Sequence, residues 1–176
     1  MKAFRHLMTI TKHRLLVMKH CFCVGLYWQG FIHDLSKYSP TEFLIGAKYY
    51  QGDRSPNDME RKEFGYSKAW LHHKGRNKHH SEYWIDYSAD PNEKVAGMEM
   101  PIKYVVEMFC DRMAAGKTYR GAVYTDKDPW EYYSMGSHKA IIHENTRELL
   151  EKLLLMLAKE GETKTFAYIK KDVLSQ

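Results

Sequence analysis

The stretch GFIHDLSKYSPTEF, residues 30–43, decides how the chain is read. Its second half is a helix start: Ser39 stands at the cap, Pro40 at the first helical position and Glu42 three residues after the cap. Its first half closes an apolar segment, Leu26 to Lys37, in which Leu26, Tyr27, Trp28, Phe31, Ile32 and Leu35 leave almost no polar face. That pattern predicts a short, largely buried helix with the pair His33-Asp34 inside it. A buried imidazole and carboxylate are costly unless their charge is compensated, and a divalent metal ion compensates both. Lys37, four residues after His33 and three after Asp34, shares their helical face and is placed to meet a phosphate oxygen beside such an ion. The alternative for the pair is a capping Asp beside a core His.

Helix signals continue in both directions. A first helix is expected from about Phe4 to Cys23, loosened by Gly25, and the helix begun at Pro40 runs to about Tyr50. After a loop, Gln51 to Asn57, the pattern predicts a long helix from Asp58 to about Tyr87, with Gly65 and Gly75 as points where it could break. Asp90-Pro91 ends that region. Pro101 opens a helix over Ile102 to Ala115 that stops at Gly116, and Asp128-Pro129-Trp130-Glu131 repeats the cap, Pro and Glu start signal. A long helix from about Lys139 to Lys159 stops at Gly161, and a terminal helix spans Lys164 to Leu174. The leucines from Leu149 to Leu157 read as core. No pair of alternating runs flanks an Asn-Gly or Asp-Gly turn, so the expected class is all-α. Without repeats, low-complexity tracts or linkers, residues 1–176 are read as one domain.

Composition sets the outer bounds. With 176 residues, 44 % hydrophobic and 28 % charged, disorder and fibre are excluded and a soluble globular body is expected. The uncharged run from Cys21 to Ile32 is about twelve residues against the roughly twenty a membrane helix needs, so no membrane partner is expected. The opening ten residues lack the apolar core and cleavage site of a signal peptide, which suggests the cytoplasm. Cys21, Cys23 and Cys110 do not make a zinc-ribbon spacing and read as reduced thiols. The balance 27 − 22 = +5 suits an anionic ligand but is too small to declare a nucleic-acid binder.

The ten histidines are more informative, because four of them fall between His72 and His80. Trp70, His73, Asn77, His80 and Trp84 step by three and four, which puts them on one helical seam that the tryptophans mark as buried. On a straight helix His73 and His80 would stand about 10 Å apart, suited to a metal pair or to a helix broken at Gly75. His72 and His79 form a parallel seam with Arg76 and Tyr83 that points to substrate or solvent. Asp111 sits in an apolar helix and wants a cation; Arg112 beside it is the ordinary candidate. His13 and His20 share a face of the first helix, and either is a candidate to complete a metal site.

In order, His13, His33-Asp34, His73, His80 and Asp111 resemble the HD superfamily of metal-dependent phosphohydrolases, whose motif is a His, a His-Asp doublet and a distant Asp, with further histidines in two-metal members. The doublet followed by Leu35-Ser36-Lys37 is similar to that superfamily's His-Asp-x-x-Lys form. The segments 33–43, 70–84 and 107–120 resemble a small branch of it. Thr11-Lys12-His13 favours His13 over His20. The resemblance covers about residues 13–120; the helices of 129–176 carry none of its ligands.

It implies a divalent transition metal, one or two ions of manganese, iron, cobalt, nickel or zinc, held by His13, His33, Asp34, His73, His80 and Asp111. It also implies hydrolysis of a nucleotide or other small phosphate ester by a metal-activated water, with Asp34 and Lys37 catalytic. Arg76, Lys78, Lys117 and Arg120 are candidates to bind the substrate's phosphate, Tyr83, Tyr119 and Tyr124 to stack on a base, and Glu82 to orient a ligand. The same ligand order occurs in HD-like mixed-valence di-iron oxygenases, a second expectation. A third is a non-enzymatic helical module binding nucleic acid through those basic residues and tyrosines.

Overall fold

Helix α1 (Lys2–Val24) buries one stripe, His6, Ile10, His13, Val17, His20 and Val24, whose alternating steps of four and three keep a single face inward. The computed structural model describes residues 2–136 and 140–175. Helices α2 (Tyr27–Ile32), α3 (Pro40–Tyr49) and α6 (Ile102–Arg120) pack on α1. Between α3 and α6 the chain forms α4 (Pro56–Phe64), α5 (Lys68–Lys74) and an antiparallel hairpin of β1 (Ile85–Tyr87) and β2 (Val95–Gly97). After α6 come α7 (Asp128–Ser134), α8 (Glu144–Glu160) and α9 (Glu162–Tyr168), the last running into a π turn, Ile169–Val173. Helix makes up 71 % of the described residues, so the class is all-α.

The core lies where α6 is held between α1 and α8: Val17 and Cys21 meet Phe109 and Met113 from α6 and Leu150, Leu153, Leu154 and Leu157 from α8. Leu153 is fully buried there, and its replacement by alanine is expected to cost about 2–5 kcal/mol, readable by urea denaturation. Among the described residues no helix is long and apolar enough to cross a membrane.

Several boundaries differ from the sequence expectation. The segment 58–87 is not one helix. Gly65 adopts a left-handed conformation that ends α4, Ser67 accepts from the Trp70 amide to start α5, and α5 stops at Gly75. Asp90-Pro91 lies in the turn of the hairpin, whose three-residue strands bury no residue fully and carry no period to read. Helix α6 continues past Gly116 to Arg120; the glycine is there for space, since a Cβ would come within 2.9 Å of the Tyr124 ring, and not as a stop. The expected start of the last long helix at Lys139 lies outside the described residues; α8 is described from Glu144, capped by His143.

The apolar segment from Leu26 is the largest correction. Its helix stops at Ile32, and only Gln29 and Gly30 of α2 are buried. A Cβ on Gly30 would sit 2.9 Å from that of Cys21, so glycine lets α2 lie directly on α1. The opposite face, with Tyr27, Trp28 and Phe31, is 60–69 % exposed. Arg14 anchors the far end of this segment, donating from Nε to the His33 carbonyl and from Nη2 to that of Phe31.

Candidate metal centre

Ending α2 at Ile32 frees the next two residues for the site. His33 caps the helix, and Asp34 turns into the left-handed region at φ 55°, alone in this among the described non-glycine residues. That conformation costs a non-glycine residue about 1–2 kcal/mol, least for Asp and Asn. It sets the Asp34 carboxylate between two groups of histidines. Oδ2 lies 3.3 Å from His33 Nε2 and 3.7 Å from His13 Nε2; Oδ1 lies 3.3 Å from His73 Nε2 and 3.5 Å from His79 Nε2. Asp111 closes the first group, its Oδ1 2.9 Å from His13 Nε2 and 3.5 Å from His33 Nε2. His80 closes the second, its Nε2 2.9 Å from that of His73.

Two ligand sets thus share one carboxylate: His13, His33, Asp34 and Asp111 on one side, and Asp34, His73, His79 and His80 on the other. Within each, the candidate ligand atoms all lie within 4.8 Å of one another. Whether these residues suit a cation is decided by their unused lone pairs. His13 Nε2, His33 Nε2, His79 Nε2 and both Asp34 oxygens are buried with no properly directed hydrogen bond. An unmade bond on a buried polar atom costs about 1–3 kcal/mol, and the Lys37 ammonium offsets this only at Asp34 Oδ2, so the atoms converging here favour a bound cation. Nitrogen and carboxylate oxygen donors suit a divalent transition metal. The residues fit the ion.

Outer carboxylates aim these lone pairs. A carboxylate can only accept, so Glu107 Oε1, 2.9 Å from His33 Nδ1 and 3.2 Å from His79 Nδ1, accepts from the Nδ1–H of each ring and leaves both Nε2 atoms to face inward as ligands. Glu42 Oε2 does the same for His73 Nδ1 at 2.8 Å, while its Oε1 meets His72 Nδ1 at 2.6 Å. Asn77 steadies His73 by donating to its carbonyl and to Ser36 Oγ.

The electrostatics follow the same arrangement. Burial would raise the Asp34 and Asp111 carboxyls, but the facing imidazoles, and Lys37 at Asp34, hold both well below the usual range. Burial would lower His33, yet the carboxylates of Asp34, Asp111 and Glu107 hold it well above its ordinary value. Burial, then the charges of His79 and His73, drives His80 well below that value against the smaller pull of Asp111 and Asp34. Lys37 Nζ lies 2.6 Å from Asp34 Oδ2.

The sequence-derived ligands His13, His33, Asp34, His73, His80 and Asp111 come together here. His79 joins them, where the straight-helix seam had turned it away: the chain breaks at Gly75, so His79 and His80 both point inward. His72 stays at the edge on Glu42. Glu42 and Glu107 escaped the sequence reading. The capping box expected of Ser39 and Glu42 does not form, since Ser39 makes no side-chain cap. Glu107 had a usable signal, standing one turn before Asp111 in an apolar helix.

A cavity of about 830 Å³ opens beside both sets, lined by His13 and Asp111 of the first, His73 and His80 of the second, and Lys37 and Arg120 among others. Arg76, Lys78 and Lys117 are not on its wall. Arg76 folds back on the His72 carbonyl, and Lys78 lies over the rings of Tyr83 and Tyr104. Tyr119 and Glu82 line the cavity; Tyr83 and Tyr124 do not.

Lys117 pairs with Glu162 and approaches His20, which is not part of the metal centre. The Cys110 carbonyl can only accept, so His20 Nδ1 carries the ring proton and Nε2 accepts a hydrogen bond from the Lys117 ammonium. Burial, then the Lys117 charge, lowers His20 from 6.5 to about 4. The unfolded chain therefore binds the extra proton between pH 6.5 and 4, and stability falls as pH drops through that window. Between pH 7 and 5 the His20→Gln variant is expected to lose about 2 kcal/mol less than the wild type in urea denaturation, at 1.36 kcal/mol per unit.

The chain matches the Family of unknown function (DUF5662) over residues 2–156, most of its length, and belongs to that family. No curated protein and no solved structure matches it.

Proposed function

We propose that this member of a family without an assigned activity is a metal-dependent phosphohydrolase of the HD type, acting on a small phosphate ester. The observation that carries the reading is the Asp34 carboxylate set between two histidine groups, each supported by an outer glutamate, at the wall of a cavity that also holds Lys37. His13, His33, Asp34 and Asp111 would hold one divalent ion, and His73, His79 and His80, with Asp34 shared, a second. Such ions supply Lewis acidity, acidifying a water and polarising a phosphoryl oxygen.

The chain's own residues do the rest. Glu107 and Glu42 keep His33, His79 and His73 in the tautomer that presents Nε2 inward. Lys37, held cationic by Asp34 and Asp111 against the effect of burial, offers a fixed positive charge to an oxygen of the phosphate. The cavity admits a small ester and sets it against the centre. Lys117 is tied to Glu162, and Arg120 Nε to Asp128 at 3.1 Å, so the basic residues do not form one free surface for nucleic acid. This favours the enzyme over the binding module.

Manganese-loaded protein is to be assayed on p-nitrophenyl phosphate and its bis ester, alongside oxygen consumption. Release of nitrophenolate from either ester, absent in His79→Ala, is expected. Fully metal-loaded protein that cleaves neither ester would overturn the reading, and dioxygen uptake by the iron form would replace it with the oxygenase.

A further inference from the structure

Four lysines and arginines line the cavity: Lys37, Arg54, Arg112 and Arg120. Three have a carboxylate. Lys37 lies 2.6 Å from Asp34, Arg54 2.8 Å from Asp53 and Arg120 3.1 Å from Asp128. Arg112 has none among the described residues. Its Nε is buried without a hydrogen-bond partner, and its guanidinium lies 5.2 Å from the centroid of the Tyr133 ring. Asp111, the neighbour that an ordinary surface pair would use, is turned to His13 and His33 instead.

A guanidinium cannot shed its charge, so a partly buried one without an anion is unfavourable until an anion arrives. Its planar fork fits a carboxylate or phosphate through two parallel hydrogen bonds. The ring beneath it is fixed in turn, because the Tyr133 hydroxyl donates to Glu151 at 3.0 Å. Successive residues of a helix project about 100° apart, so Arg112 serves a place beside the metal centre rather than on it.

We infer that Arg112 is a second anion-binding group, and that the cavity takes a small molecule with two separated anionic groups, one at the metal centre beside Lys37 and one on Arg112. This rests on the phosphohydrolase reading, which supplies the first anion. Within it, the inference narrows the substrate to esters that carry a further carboxylate or phosphate.

The test is calorimetric binding of methylphosphonate, phosphonoacetate, 3-phosphonopropionate and 4-phosphonobutyrate to metal-loaded protein. The wild type is expected to bind at least one bifunctional ligand about tenfold more tightly than methylphosphonate. Arg112→Gln erases that preference while leaving methylphosphonate affinity and metal content unchanged. Arg112→Lys, which keeps the charge and loses the fork, retains part of the preference and serves as the deciding variant if Arg112→Gln fails to fold.

A preference that survives in the variants, an equal loss for all four ligands, or no preference in the wild type overturns the inference. Arg112-dependent binding of a bifunctional ligand without any binding of methylphosphonate upholds Arg112 and removes the phosphate reading. Binding of none removes both.

Discussion

Replacing Asp34 by alanine is expected to empty both ligand sets together and lower phosphate-ester turnover by at least about 10³-fold, beyond the 10–100-fold typical of outer-shell changes. The reason is geometric. One carboxylate gives Oδ2 to the side of His13 and His33 and Oδ1 to the side of His73 and His79, so no other residue can take its place in either set. The variant also takes the nearest anion from Lys37 and one of the facing carboxylates from His33, which costs stability as well. Metal content and kcat measured on the folded fraction, identified by circular dichroism, check this. A variant that keeps a full complement of metal would show that Asp34 is not shared.

Glu107→Gln is expected to lower metal affinity about 10–100-fold, with the fold retained. Glu107 is buried in α6 and accepts from two rings, His33 and His79, that belong to different ligand sets. One oxygen, Oε1, serves both rings; an amide oxygen there is uncharged and a weaker acceptor, and its NH2 can turn to a ring instead, so the amide holds the tautomer that frees Nε2 less firmly. Chelator competition measures the effect. Glu42→Gln, which relaxes only His73 within the ligand sets, is expected to do less. Equal affinities for Glu107→Gln and the wild type would mean that the outer carboxylate does not set ring orientation.

The all-α class and most ligands were legible because each rests on local pattern. The shared face of His13 and His20 on the first helix, both buried, and the doublet His33-Asp34 are visible in the order of residues alone. What escaped depends on where the chain bends. A straight helix from Trp70 to Trp84 separates His73 from His80 by about two turns and turns His79 outward. The break at Gly75 instead brings the Nε2 atoms of His73 and His80 to 2.9 Å and His79 beside them.

The exposed face of α2 escaped for another reason. Apolar residues surround that short helix on nearly every side, and the contact at Gly30 selects which of them faces inward. Among the cations, Lys37 was found through its spacing to the doublet. Arg112 was assigned to Asp111 by adjacency, although adjacent helical side chains diverge. The π turn after α9 and the short hairpin carry too few residues for a period to show.

The central claim is that these histidines and carboxylates hold a metal. Elemental analysis by plasma mass spectrometry, on protein purified without chelator and without affinity nickel, tests it directly. One or two equivalents of a transition metal per chain are predicted. A protein that holds none, and takes up none from manganese, iron, cobalt, nickel or zinc offered in excess, would contradict the account.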